Sequence, residues 1–309
     1  MLGTLGNRIK TLRKEKKLSR EAICEDGEVL SPKQLYRIEA NISMPSVEKV
    51  VFLAKQLDVS VSELFDEKKE LPQEYLSLKY DILNTQVYRH PDLMTQVLKQ
   101  ISDVHERFYA DLPQEEAYIF GLLEKMLRAY NLEEDQMPIT EIKEHLRPLL
   151  NHLYFDLNTL IMIRYVLNRE ISYDEKYKKS LFGASYIAMV QEELVNLTTT
   201  VRREDWFICR DNLITALTLS LNHADHEKCF LLLKVLKENM ARFQDVQKKM
   251  IVMMLEWKIF LLNNQLDEAQ ETYDKTKAFV QIIGDKHVLM KIMEEWESDF
   301  KDFQKKKEI

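Results

Sequence analysis

Between Thr4 and Phe65 the sequence packs the start signals, stop signals and apolar stripes of five short helices into about sixty residues. Leu5, Ile9 and Leu12 recur at spacings of four and three, which predicts an amphipathic helix over Thr4 to Lys16. Ser19 can cap a second helix, Arg20 to Cys24, which Glu25-Asp26-Gly27 then breaks. Ser31 opens a third with Pro32 at its first position, where the missing N–H costs nothing. Leu35 and Ile38 form its buried face, and the helix ends near Ala40. Pro45-Ser46 starts a fourth, with Val47, Val50, Val51, Ala54 and Leu57 expected inward, and Ser60-x-x-Glu63 is a capping box for a fifth.

The remainder continues in the same idiom. Only six glycines and seven prolines occur in 309 residues, so tight turns are scarce and an all-α fold is expected. Helical segments are separated by short breaks at Arg89-His90-Pro91, Asp111-Leu112-Pro113, Gln136-Met137-Pro138 and Asn263-Asn264-Gln265. From residue 205 a degenerate period of forty appears, in which Ser220, Cys229 and Leu233 correspond to Phe260, Ala269 and Tyr273. A spacing of nine then four is that of a tetratricopeptide-like helix pair. The charged, proline-bearing stretch 67–73 reads as a linker between a domain at 1–66 and a helical repeat domain at 74–309 that ends in a capping helix.

Charge divides along the same line. Residues 1–66 balance at +1 and the rest at −8. Within the first part Arg8, Lys10, Arg13, Lys14, Lys16, Lys17 and Arg20 are opposed only by Glu15, so one end of the chain can meet phosphate while the rest repels it. The start lacks a signal peptide's apolar core and no stretch is apolar enough to span a bilayer, which places the expected location in the cytoplasm, away from membranes. Cys24, Cys209 and Cys229 are too few and too irregular for a disulfide framework, and reduced packing cysteines are expected.

The first five helices resemble the phage-repressor-like (XRE) helix-turn-helix family. The resemblance is carried by Gly6-x-x-Ile9-Lys10-x-Leu12-Arg13, Leu18-Ser19-x-x-x-Ile23, Leu35-x-x-Ile38-Glu39, Pro45-Ser46, Leu53-Ala54-x-x-Leu57 and Glu63-Leu64-Phe65. It implies that the third helix enters the major groove of double-stranded DNA. Lys33 and Arg37, one turn apart on its outer face, then become base readers, with Gln34 and Tyr36 flanking. Ser31 and Gln34 also form a capping box, so Gln34 has two competing uses. Arg20 is expected at phosphate, and Arg13 with Glu39 as the structural ion pair of such domains. Ala40 stands where the family has glycine, which shifts the turn onto Asn41, and the loop Glu25 to Leu30 is slightly long.

As a whole the chain resembles the Gram-positive RRNPP peptide-pheromone receptors, the Rgg/ComR branch above all. The matching stretches are Ser19-Arg20-Glu21 with Cys24 and Asp26-Gly27, Gln34-Leu35-x-Arg37-Ile38-Glu39, Tyr88-Arg89-x-Pro91-Asp92 and Ala269-x-x-x-Tyr273-Asp274-Lys275. The resemblance implies a helix-turn-helix joined to a five-repeat α-solenoid whose concave face binds a short signalling peptide. It also implies a homodimer, peptide-induced in the switch envisaged, that activates transcription in a quorum-sensing or competence circuit, with RNA polymerase as a further contact. The peptide would lie along first helices of successive pairs, where amides can meet its backbone. Asn158, Met162 and Tyr165 share one face, Asn212, Thr215 and Leu219 another, Trp257 lies on the next such helix, and Arg89 suits a carboxylate. The same residue types serve equally as core.

Neither a cofactor nor catalysis is expected. His223-x-x-His226-x-x-Cys229 straddles an expected turn and has no fourth ligand, so it is read as turn residues and not as a metal site. Glu115-Glu116 and Glu133-Glu134-Asp135 are solvated charges, and no phosphate loop or nucleophile elbow occurs. Two other readings stand beside the sensor: a ligand-independent dimeric repressor, and a helical adaptor that binds a partner protein.

Overall fold

The computed structural model describes residues 2–24, 27–59, 61–64, 71–85, 91–128, 135–150, 157–284 and 286–307. All secondary structure among them is helical. Outside them lie Arg89, Glu25 and Asp26 of the expected helix break, Ser60 of the capping box, Glu133-Glu134 and most of the expected linker. The chain divides into two compact units, Met1–Gln114 and Glu115–Ile309.

In the first unit, α1 (Leu2–Glu15), α2 (Arg20–Cys24), α3 (Pro32–Glu39), α4 (Val47–Gln56) and α5 (Val61–Leu64) surround one core. Ile9, Leu30, Leu35, Leu53, Leu57 and Leu64 are completely buried there. Each such side chain contributes about 1.5–3 kcal/mol relative to exposure. The helix starts follow the caps: the Ala22 amide donates to Ser19 Oγ at 3.0 Å and the Lys49 amide to Ser46 Oγ at 3.4 Å. After α3 the chain turns at Asn41, which takes the left-handed conformation (φ 56°) while Ala40 does not (φ −87°). Gly6 allows this arrangement, because a Cβ there would stand 2.1 Å from the Ile38 carbonyl oxygen. The α1–α3 crossing is therefore a backbone contact, which only glycine permits.

One expectation for α4 is corrected. Val50, Leu53, Ala54 and Leu57 face the core, but Val47 and Val51 are 81% and 52% exposed. At about 100° per residue the stripe through 50, 53, 54 and 57 leaves Val51 a quarter turn away and Val47 in the first turn, beyond the core's edge. The unit is completed by α6 (Gln73–Asn84) and α7 (Pro91–Arg107), which pack on each other and bury Tyr75, Ile82, Val97, Ile101 and Val104.

The second unit is a stack of helical hairpins: α8 (Gln114–Arg128), α9 (Ile139–Leu150), α10 (Leu157–Tyr177), α11 (Ala184–Leu197), α12 (Trp206–Asn222), α13 (His226–Phe243), α14 (Lys249–Leu262), α15 (Leu266–Ile283) and α16 (Lys286–Lys307). First helices pack on the next first helix, α10 on α12, α12 on α14 and α14 on α16, as in a tetratricopeptide-like array. The forty-residue period is real at the backbone. Ala224 and Asn264 are left-handed between the helices of each pair, and Gln244 and Gly284 are left-handed after the second. Cys229 and Ala269 are both fully buried, small residues where the two helices of each pair approach.

Candidate DNA-reading helix and ligand groove

The outer face of α3 is held from three sides. At its start the Gln34 amide N–H donates to Ser31 Oγ at 3.3 Å, and Ser31 N–H donates to Gln34 Oε1 at 3.1 Å. This capping box occupies one lone pair of Oε1, so a bidentate approach to adenine would share that oxygen. At its end, buried Glu39 accepts from Arg13 Nε at 2.6 Å and from Arg13 Nη2 at 3.1 Å. The hydrogen bond to Glu39 raises the Arg13 pKa above its ordinary value, against the opposing effect of burial. Arg13 Nη1 also donates to the Leu18 carbonyl at 3.0 Å, tying α1 to the start of α2.

Arg20 joins the same carboxylate, its Nε donating to Glu39 Oε2 at 2.8 Å, and its guanidinium lies 5.1 Å from the centre of the Tyr36 ring. The side chain expected at phosphate is thus engaged within the domain: one carboxylate carries two guanidiniums, and the second braces Tyr36. Lys33, Tyr36 and Arg37 are exposed, with Leu35 and Ile38 beneath them. What remains outward is two cations and an aromatic edge on a short capped rod, able to donate to guanine O6 and N7.

In the second unit the expected ligand residues are mostly interior. Met162, Tyr165, Asn212, Leu219 and Trp257 are buried, whereas Asn158 and Thr215 are half-buried. Their polar atoms join neighbouring elements. Asn158 Nδ2 donates to Glu116 Oε2 at 2.6 Å, Tyr165 Oη to Asp135 Oδ2 at 2.7 Å, Asn212 Nδ2 to the Leu160 carbonyl at 3.0 Å and Trp257 Nε1 to Asp299 Oδ2 at 2.8 Å. Thr215 Oγ1 turns back to the Asp211 carbonyl at 3.1 Å. Burial and the bond to Asp135 push the Tyr165 pKa far upward. Asn212 Oδ1 is the exception, a buried acceptor with no hydrogen-bond partner among the described residues.

A charged group on the same helices escaped the sequence reading. Arg210, 1% exposed, donates to Asp211 Oδ1 through Nε at 3.0 Å and Nη2 at 2.9 Å, and through Nη1 to Asp245 Oδ2 at 2.7 Å. Arg164 Nη2 stands 3.9 Å from Asp211 Oδ2, and Lys248 lies within electrostatic reach of all four. The signal was present: Arg164 is the single charge in 157–168, and Arg210-Asp211 are the single charges in 206–222. The turn residues behave otherwise. His223 Nε2 lies 3.6 Å from Asp174 Oδ1, His226 Nδ1 lies 2.7 Å from Asn263 Oδ1, and no group of three metal-ligating side chains occurs among the described residues. Cys24, Cys209 and Cys229 are free and buried, and burial raises the Cys209 thiol to about 12.

A capped helix with outward cations, on a chain that also carries a tetratricopeptide-like hairpin array, defines a helix-turn-helix protein of the DNA-binding kind. Residues 72–296 match the ComR tetratricopeptide family and residues 9–64 a helix-turn-helix family. The chain belongs to the ComR tetratricopeptide family. ComR from Streptococcus suis is 26% identical with a TM-score of 0.64, the match covering 97% of this chain and 96% of that one. The apo form of ComR from Streptococcus vestibularis is 25% identical with a TM-score of 0.66, covering 96% and 98%. ComR from S. thermophilus, solved in complex with DNA and its signalling peptide ComS, is 27% identical with a TM-score of 0.61, covering 96% and 99%. The sequence matches no curated protein.

Proposed function

We propose that this chain is a transcription regulator whose hold on an operator is set by a short signalling peptide bound along the first helices of its hairpin array. The observation that carries the DNA half is the exposed Lys33–Arg37 pair on a helix locked at both ends by the capping box and the Arg13–Glu39–Arg20 link. The peptide half is supported by membership of the ComR family, one relative of which is solved with both DNA and its signalling peptide. The chain acts as a regulator and not as an enzyme.

In this reading Lys33 and Arg37 meet base edges, Tyr36 and Arg20 line the backbone side, and Ser31 and Gln34 set the helix start. Asn158, Met162, Tyr165, Asn212, Thr215, Leu219 and Trp257 belong to the ligand-responsive face of the hairpin array, and Arg89, which lies outside the described residues, is proposed separately as a partner for a peptide carboxylate. The domain limits proposed are 1–66, 67–73 and 74–309; the family matches at 9–64 and 72–296 favour two parts, although by compactness α6 and α7 group with the first. No described helix is long and apolar enough to cross a membrane. The site of action proposed is the cytoplasm, with a homodimer as the active form, activation as the outcome and RNA polymerase as a neighbour on the promoter.

Burial of Met162, Tyr165, Asn212, Leu219 and Trp257 favours a second reading, a dimeric repressor that needs no ligand. One experiment separates the two. Operator sequences are selected from a random DNA pool with the full-length chain, then retested by mobility shift against a panel of short synthetic peptides. A peptide that changes operator affinity supports the sensor. A specific complex indifferent to every peptide supports the repressor, and absence of any sequence-specific complex rejects both.

A further inference from the structure

Where the C-terminal ends of α10 and α12 meet the start of α11, the second unit holds a cavity of about 160 Å³. Ala184, Ile187 and Leu219 form its apolar side, and Glu170, Gln191 and Ser220 its polar side. A cavity of this size takes one group about as large as benzene, and it is smaller than the sites that enclose a whole drug-sized ligand. It therefore suits a single side chain or a small molecule.

The polar side carries acceptors that the protein's own donors leave open. Glu170, 2% exposed, is engaged through Oε2 alone, which accepts from the Leu181 amide at 3.1 Å and the Phe182 amide at 2.9 Å. Gln191, 5% exposed, donates through Nε2 to the Ala216 carbonyl at 3.0 Å and to Ser220 Oγ at 3.2 Å. Glu170 Oε1 and Gln191 Oε1 have no hydrogen-bond partner among the described residues, although both side chains line the cavity. One turn on from Glu170, on the same face of α10, Asp174 is also buried. Its carboxylate meets only His223 Nε2 among the described residues, at 3.6 Å, beyond hydrogen-bond length. Among the same residues no lysine or arginine pairs with Glu170 or Asp174, and Lys228, which reaches the cavity, stands 3.6 Å from Asp225 instead.

Two buried carboxylates and an amide oxygen are best met by a cation that only donates. An alkylammonium fits both sides of the cavity: three N–H donors for Glu170, Gln191 and Asp174, and an apolar stem for Ala184, Ile187 and Leu219. We infer that the cavity is a binding site for a primary alkylammonium group, carried either as the lysine tip of a short peptide or as a free small amine. The site does not require the peptide-sensing reading, since a free amine fills it equally. Charge-assisted hydrogen bonds to buried acceptors make the ammonium the selected group, with the stem adding only apolar contact.

The test is isothermal calorimetry on the full-length chain with two amines, n-butylammonium chloride and a lysine acetylated on its α-amine and amidated at its carboxyl. Each is paired with a neutral counterpart of similar shape, 1-butanol and the matching norleucine derivative. At least one amine is expected to bind saturably, and roughly tenfold or more tightly than its counterpart. Glu170→Gln keeps an acceptor for the Leu181 and Phe182 amides but removes the charge, and it is expected to weaken the amine roughly tenfold or more. Asp174→Asn is expected to act in the same direction and carries the test alone if the first variant does not fold, thermal unfolding being the check on both. Binding of the lysine derivative assigns a peptide's lysine tip, whereas binding of butylammonium alone assigns a free amine. Amines that bind no better than their neutral counterparts overturn the site, as do amines that give no saturable heat at millimolar concentration. An amine affinity unchanged in every folded variant overturns it too, and none of these results touches the peptide-sensing reading.

Discussion

Glu39 accounts for much of how the reading helix is held. Its two oxygens serve Arg13 and Arg20 while the residue itself is 2% exposed, so it fixes α3 to α1 and α2 together. Removing it strands the buried Arg13 guanidinium. Glu39→Ala is expected to cost about 3–5 kcal/mol, read as a fall in the urea midpoint. Arg20→Ala, which removes the more exposed partner, is expected to cost only about 0–1 kcal/mol. Near-equal losses for the two would contradict this division. Lys33→Ala and Arg37→Ala should leave the unfolding curve in place and each weaken specific DNA binding by about 1–3 kcal/mol, with relaxed sequence preference, measured by anisotropy on the selected operator. At this scale the sequence was partly legible. The outward Lys33–Arg37 pair follows from helical period, and the Arg13–Glu39 pair from family resemblance. The third member, Arg20, and its contact with Tyr36 needed coordinates, because they depend on where α2 crosses α3. Asn158, Tyr165, Asn212 and Trp257 show the complementary limit, since a polar group on a first helix looks the same whether it faces a ligand or ties one hairpin to the next.

The elements were the most legible level, because their ends are written in side chains with local jobs. Ser19, Ser31 and Ser46 mark the starts of α2, α3 and α4, and Asn41 takes the left-handed turn that Ala40 cannot. The inward face of α4 was misjudged because five valine, alanine and leucine positions spread over more of the helix than the core could cover. The forty-residue period recurs as left-handed residues, and this gives a direct prediction. Gln244 occupies with φ 56° the place that Gly284 occupies with φ 80°. Gln244→Gly should therefore stabilise the hairpin array by about 0.5–1 kcal/mol, read as a rise in Tm, and no rise would show that the two turns are not equivalent. The Arg210–Asp245 bond between α12 and the turn before α14 gives the array a pH signature. Burial alone would raise the Asp245 pKa, but Arg210, the Gln247 amide and Trp206 together hold it below the ordinary carboxylate value. A depressed carboxylate stabilises the fold fully above its unfolded pKa of about 4, and that contribution is lost as pH falls through the lower folded value. Urea midpoints measured downward from pH 7 should thus decline below about pH 4, and less steeply in Asp245→Asn. An unchanged slope in the variant would remove Asp245 from that account.

At the scale of the whole molecule, the chain forms two compact units divided in sequence after Gln114, whereas the charge changes earlier, from +1 over residues 1–66 to −8 over the rest. The helix-turn-helix and the repeat architecture were both readable because each depends on local patterns repeated in order. The ligand was not, since a peptide groove is defined by what neighbouring hairpins leave uncovered, and no single helix records that. The central claim is that one chain couples the two units through a peptide. The measurement that tests it most directly is the operator affinity of the full-length protein, by fluorescence anisotropy, as each short peptide is titrated, with molar mass followed by light scattering on the same samples. One peptide is predicted to tighten operator binding by roughly tenfold or more while mass rises to that of a dimer. Operator affinity and mass that stay constant across a peptide demonstrably bound to the protein would contradict the account.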